Sequence, residues 1–229
     1  MGGWTVRRLG DSSLMVELEQ AIDPVINARA LAIGALVRRA AHEGVCDVVE
    51  GYCSVTVAFD PLRADVSRLS TALGEAASQE RGVVVEGRAI TLPVCYGGSF
   101  GPDLGTVASF AGCTEEEVVA LHSGSTYRVY MLGFLPGFAY MGSVAKRIAA
   151  PRREHPRVGV PAGSVGIAGP QTGVYPLEAP GGWQLIGRCP VTIFSPERPD
   201  RFLLHAGDIV RFEAIGAAEY IRAREKEVS

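Results

Sequence analysis

Residues 163–176 read GSVGIAGPQTGVYP, and the interpretation of this stretch decides the fold of the C-terminal part of the chain. Two short apolar runs, around Val165–Ile167 and Val174–Tyr175, are punctuated by Gly163, Gly166, Gly169 and Gly173 and closed by Pro176. Glycine reaches the positive-φ conformations that tight hairpin turns require, so one reading is a pair of strands joined by turns. The polar residues between the glycines support a second reading. Ser164, Gln171, Thr172 and Tyr175 carry hydroxyl and amide groups, Arg152, Arg153 and Arg157 lie just upstream, and Arg188 lies just downstream. Guanidinium forks combined with backbone N–H groups freed by glycine suit a phosphate or another oxyanion. Both readings stand at this point.

The same grammar extends outward over residues 89–229. YRVYMLGF, RVGV, SVGIA, TGVYP, WQLIG, PVTIF and IVRFEAI are short β-rich pieces separated by Gly/Pro turns, which points to an antiparallel barrel or sandwich. One helix interrupts them: Thr114 and Glu117 form a capping-box pattern ahead of EEEVVALHS, whose first-turn glutamates suit the helix dipole. The final GAAEYIRAREKEVS reads as a short helix, frayed at its end.

Residues 1–88 follow a different pattern and read as a small α/β domain. TVRRLG and SLMVEL are strand-like and are followed by a helix that Asp23 caps, Pro24 opens and Gly44 stops. CDVVE and CSVTVAF are further strands, ADVSRLSTALGEAASQ is a second helix, and VVVEGRAI returns to strand composition. The order β-β-α-β-β-α-β suggests a sheet with helices on one face. The fold class is therefore α+β, a small α/β sheet domain followed by an antiparallel β domain, barrel or sandwich.

Bulk properties exclude several functions. A net charge of −3 gives no electrostatic case for nucleic acid or an anionic membrane. No apolar run is long enough to span a bilayer, and no signal-peptide h-region is present. Five widely spaced cysteines without a CxxC pair read as reduced thiols in a cytoplasmic protein. There is no GxxxxGK[ST], GxGxxG or HExxH, and no run of paired metal ligands.

GGSFG at 97–101 fits the GxSxG nucleophile elbow, with Ser99 as nucleophile and His122, His155 or His205 as base. Pro102 and Asp103 lengthen the turn beyond a sharp elbow, which weighs against a hydrolase of that type. GFLPGFAYMG at 133–142 is a second candidate surface: Phe134, Phe138 and Tyr140 flank a Pro-Gly turn, either as a wall beside a ligand or as core aromatics. His122 reads as a core or capping histidine or as a proton carrier, His155 as a solvated loop residue, and Trp183 as barrel packing.

Taken together, LPVCYGGSFGPDLGTVA, EEVVALHS, YRVYMLGFLPGFAYMG, PRREHPRVGVPAGSVGIAGPQTGVYPLEAPGGWQLIGR and AGDIVRFEAI resemble the family of 5-oxoprolinase B subunits, also called the KipI type or allophanate hydrolase subunit 1. The resemblance implies an N-terminal α/β domain and a cyclophilin-like barrel. It implies a carboxyltransferase-like pairing with the C subunit of 5-oxoprolinase. With the A subunit as well, it implies cleavage of 5-oxo-L-proline to L-glutamate driven by ATP, the chain being inactive alone. Mg²⁺ is the candidate companion of that ATP. In the family's YGGxxGPDL pattern the serine is not a defining letter, so Ser99 loses weight. One branch of the family implies a different role, a binding module that inhibits a sensor histidine kinase. The expected contributors to a phosphate or substrate site are Arg152, Arg153, Arg157, Ser164, Gln171, Thr172 and Tyr175, with His122, Tyr140 and Arg188 as further candidates.

Overall fold

The computed structural model describes residues 3–79 and 87–228. Backbone contacts divide the chain into two compact units, residues 1–86 and 87–229.

The first unit is a four-stranded antiparallel sheet with two helices. Strands β1 (Thr5–Leu9) and β2 (Ser13–Glu17) form a hairpin, and β3 (Val45–Glu50) and β4 (Ser54–Phe59) form another, giving the sheet order β1-β2-β4-β3. Every second residue of β2 and β4 is buried, so Leu14, Val16, Val55 and Val57 turn to one face. Helix α1 (Pro24–Ala40) and helix α2 (Val66–Ser78) cover that face with Ile33, Val37, Leu69 and Leu73. The α1 N-terminus is as expected: the Asp23 carboxylate accepts from the amides of Val25 and Ile26, and Pro24 opens the helix. The helix stops earlier than the Gly44 signal suggests, because Ala41 itself adopts the left-handed conformation at φ 45°.

The second unit is built on a closed barrel. Its strands are β5 (Ala89–Tyr96), β6 (Thr126–Leu132), β7 (Ala139–Gly142), β9 (Ser164–Ala168), β10 (Gln171–Val174), β12 (Gln184–Arg188) and β13 (Ile209–Ala214), in the closed order β10-β7-β6-β13-β5-β12-β9. Six of the pairings are antiparallel, whereas β13 lies parallel to β5 over the full register from Ile209↔Ala89 to Ala214↔Val94. Parallel partners need a long crossover, and here the rest of the barrel supplies it. A separate two-stranded ribbon pairs β8 (Arg157–Val160) with β11 (Ala179–Gly181), so RVGV forms a strand but not a barrel strand.

Two further expectations differ. The strand expected in VVVEGRAI lies partly outside the described residues, and its end, Ala89–Ile90, begins β5 of the barrel. PVTIF forms no strand; only an isolated bridge joins Phe194 to Phe202. Helix α3 (Leu104–Ala111) and helix α4 (Glu115–Ser123) pack beside the barrel, α4 with the full capping box between Thr114 and Glu117. Helix α5 (Ala217–Val228) closes the described chain. Leu92, Val94, Tyr127, Val129, Met141, Val165, Ile167 and Phe212 fill the barrel interior with Val107 and Val118 of the helices.

Candidate functional site

The four glycines of the opening stretch do two different jobs. Gly163 (φ 82°) and Gly169 (φ 57°) are turn residues in the left-handed region. Gly166 and Gly173 are strand residues on the outer face of the barrel, cross-strand partners of each other. A Cβ at Gly166 would lie 3.0 Å from Trp183 Cβ, and one at Gly173 would lie 2.9 Å from the Ala139 carbonyl oxygen and 3.3 Å from both Phe138 and Trp183. Their bare backbones form a floor on which the indole of Trp183 lies, leaving it 3% exposed. Phe138 meets Trp183 edge-on at 5.3 Å, and Tyr140 and Tyr175 meet Phe138 at 4.8 and 5.2 Å. The backbone amides of Gly163 and Gly169 donate to the carbonyls of Tyr175 and Ala150, both at 2.7 Å, so they serve the turns and not an anion.

The three upstream arginines part company. Arg157 donates through both terminal nitrogens to the Asp103 carboxylate, at 2.8 and 2.7 Å, and Arg153 adds a third bond to it at 3.0 Å. Asp103 also accepts from the backbone amide of Leu185 at 2.7 Å and is itself buried. Arg152 forms no ion pair among the described residues; its guanidinium lies over the Trp183 ring, 5.9 Å from the centroid. Burial raises the pKa of the Tyr140 and Tyr175 phenols, and the positive charge of Arg152 partly offsets this in both. The exposed tip of this face is Phe134, 61% accessible and held at φ 68° although it is not glycine.

The remaining expected residues point elsewhere. Thr172 is buried and bound on both sides: its hydroxyl donates to the Gly166 carbonyl at 2.9 Å and pairs with His122 Nε2 at 2.9 Å. The other ring nitrogen, Nδ1, pairs with the Tyr96 hydroxyl at 2.8 Å. The Thr172 hydroxyl spends its proton on Gly166, so His122 Nε2 carries the hydrogen and Nδ1 accepts from Tyr96. His122 stacks on Phe212 at 4.6 Å, and burial lowers its pKa to about 3. It is a neutral, fully occupied core histidine. His205 pairs through Nε2 with Asp200 at 2.9 Å, and both ring nitrogens of His122 are engaged away from Ser99. Ser164 is buried, with its hydroxyl unpaired among the described residues. Arg188 faces a separate cleft of about 230 Å³, lined also by Cys189, Thr192, Tyr220 and Arg224.

One further residue belongs to this face and is absent from the expected set. Arg128 lies on β6 between the buried Tyr127 and Val129, and its Nε and Nη2 are buried without a hydrogen-bond partner among the described residues. Leaving buried donors unpaired costs about 1–3 kcal/mol apiece. Arg128 pairs across β6–β7 with Gly142, and Gly142 pairs across β7–β10 with Gln171, so the three share one face of adjacent strands. The ring of buried Tyr130 lies 3.3 Å from where a Gly142 Cβ would be. Tyr140, two residues before Gly142 on β7, shares the same face by strand alternation. The available signal is an arginine standing in an otherwise apolar and aromatic strand, YRVYML.

Among the described residues there is no cluster of three or more His, Cys, Asp or Glu side chains that could hold a metal ion, and no helix is long and apolar enough to cross a membrane. Mg²⁺ therefore has no carboxylate cage in the described part of this chain. What the barrel face offers is aromatic surface, guanidinium and amide.

Comparison with known proteins gives this face its context. The carboxyltransferase domain, subdomain C and D, matches residues 4–204. The 5-oxoprolinase B subunit of Bacillus subtilis (strain 168) is 40% identical over 97% of this chain and 98% of its own length. That of Escherichia coli O157:H7 is 44% identical over 89% of this chain and 93% of its own. Among solved structures, TTHA0988 superposes with a TM-score of 0.81 at 39% identity, over 93% of this chain; the chain spans 41% of that protein. Similarity of this extent, running through both units, means that the chain belongs to the family of 5-oxoprolinase B subunits.

Proposed function

We propose that this chain is one component of an ATP-dependent 5-oxoprolinase that opens 5-oxo-L-proline to L-glutamate together with the C and A subunits as partners. The observation that carries the reading is the 40% identity, nearly end to end, to a protein named as the B subunit of 5-oxoprolinase. The chemistry asks for such an assembly. A five-membered lactam is a poor electrophile; transfer of the γ-phosphoryl group to its oxygen lets water add to the ring carbon, the C–N bond then breaks to leave an acyl phosphate, and a second water hydrolyses that to glutamate and phosphate. Catalysis of that kind rests on positioning and on stabilising developing charge.

The barrel face around Trp183 is the contribution we assign to this chain. Arg152, Tyr140 and Gln171 are the residues that meet a ligand. Arg153 and Arg157, fixed on Asp103, hold the loop that presents Arg152. Thr172, Tyr175 and His122 keep the underlying strands in place. Phe134 stands exposed at the tip of this face, above the buried Phe138 and Trp183, which suits a site finished by another polypeptide. ATP, with Mg²⁺ carried by its phosphates, is met chiefly by the partners in this reading. Five free cysteines suit a reducing, cytoplasmic setting.

The test is reconstitution. Glutamate release from 5-oxo-L-proline and ATP is measured for the chain alone, for each partner set lacking it, and for the complete set. Activity only in the complete set is expected. Full activity from the set without this chain would overturn the assignment and turn attention to the kinase-inhibiting branch of the family.

A further inference from the structure

We propose that Arg128 binds the carboxylate of the acid substrate; this rests on the 5-oxoprolinase reading and extends it to a specific atom pair. Nε and Nη2 are the two nitrogens on one edge of a guanidinium, the edge that meets a carboxylate side-on through two parallel hydrogen bonds. In Arg128 both are buried and without a partner among the described residues. The same unit displays what that edge does when a carboxylate is supplied. Arg88 donates through Nε and Nη2 to the two oxygens of Asp208, at 3.2 and 2.7 Å. In Arg188, by contrast, only Nε is both buried and unpaired, and the side chain faces the separate cleft beside Tyr220 and Arg224.

The neighbours define what the fork takes. Gly142 stands beside Arg128 in the sheet and removes a side chain from the middle of the row, with Gln171 on its far side. Arg128 and Gln171 stand on the two strands that flank β7, and the Tyr130 ring lies against Gly142 between them. The rings of Tyr130 and Tyr140 lie on the same face. One guanidinium balances one negative charge, and the aromatic walls favour a small flat body. A carboxylate attached to a small planar ring bearing an amide matches this set. The planar two-nitrogen edge of the Arg128 guanidinium matches a carboxylate in both shape and charge.

The experiment uses the complete enzyme and two variants, Arg128→Lys and Arg128→Gln. Lysine keeps the charge but loses the planar fork. KM for 5-oxo-L-proline and KM for ATP are measured separately. The expected result is a rise of roughly tenfold or more in the first, with the second changed by less than about twofold, and a larger effect for glutamine than for lysine. A rise in KM for ATP alone would overturn the carboxylate assignment, as would unchanged values for both. Because the Gln variant can weaken folding, a second measurement uses the wild-type complex. The Arg128 Nε–H resonance, assigned by its loss in Arg128→Lys, should move downfield on addition of 5-oxo-L-proline and stay in place with 2-pyrrolidinone, which lacks the carboxylate. A resonance unmoved by saturating 5-oxo-L-proline sinks the proposal. Wild-type complex that releases no glutamate, but whose Arg128 resonance responds to the acid, would count against the enzymatic reading and in favour of the carboxylate site.

Discussion

Asp103 sits at the N-terminus of α3, yet its carboxylate makes no hydrogen bond to the helix; it grips both terminal nitrogens of Arg157 instead. Aspartate at that position ordinarily accepts from the first-turn amides. Here the cap is given up so that one buried carboxylate can join three separate parts of the unit: the start of α3, the arginine loop, and the Leu185 amide on β12. Asp103 is thus a positioning residue for the loop that presents Arg152.

Replacing Asp103 with asparagine should cost about 3 kcal/mol, the lower end of the range for breaking a buried ion pair. The lower end applies because Arg153 and Arg157 keep 34% and 24% side-chain exposure and can recover some hydration. Urea denaturation measures it, and an unchanged midpoint would contradict the role. Arg153→Ala should lower both stability and turnover, but stability less than Asp103→Asn does, since Arg157 retains its two bonds.

Trp183 and Gly173 form the second test, because the indole can lie flat only where the strand beneath it has no side chain. Gly173→Ala brings a Cβ to 2.9 Å from the Ala139 carbonyl, a backbone atom that cannot move aside cheaply. A loss of about 1–3 kcal/mol is expected from this overpacking. Trp183→Ala should cost about 3–5 kcal/mol, the usual range for truncating a buried aromatic. Thermal unfolding of the two variants checks both; a neutral Gly173→Ala would mean that the floor is not rigid.

These contacts also mark where sequence reasoning reaches its limit. The hairpin at 163–176 is legible because Gly169-Pro170 is a strong turn signal between apolar runs, and the capping box at Thr114–Glu117 names its helix outright. Gly166 and Gly173 are not separable from turn glycines, because the sequence does not reveal that an indole ten or more residues away lies over them. Likewise Arg152, Arg153 and Arg157 look alike as letters, and only the buried Asp103 distinguishes the paired two from the third. Asp103 itself lies just past the GxSxG decoy and reads as a turn residue. Arg128 is hidden for a related reason. Strand alternation places it on the outer face, but the burial of its nitrogens depends on neighbours from two other strands.

Arg152 offers a complementary contrast to its neighbours. Its contact with Trp183 is worth about 0.5–1 kcal/mol at an exposed position, so Arg152→Ala should leave the unfolding midpoint nearly unchanged. Turnover by the complete enzyme should nevertheless fall by roughly tenfold or more, because the loop would lose the one guanidinium not committed to Asp103. A variant with unaltered turnover would return Arg152 to plain surface packing.

His122 sets a pH dependence that can be read without any partner. Burial holds its folded-state pKa at about 3, against an ordinary value of 6.5. Between those values the unfolded chain binds a proton that the folded chain does not, so stability must fall as the pH drops below about 6.5. One such group gives a slope of about 1.4 kcal/mol per pH unit, and it contributes no slope above that range. Asp208 acts in a different window. Burial raises its pKa, but hydrogen bonds from Arg88 and the His205 amide outweigh this and leave it below the ordinary 3.8, so its stabilisation is lost only under more acidic conditions. Urea unfolding of the chain at pH 7, 6, 5 and 4.5 should trace the His122 slope. His122→Gln, which keeps a donor for Thr172 but cannot take up a proton, should begin from a lower stability and show a flatter profile. Equal slopes for the two proteins would show that His122 is not the titrating group.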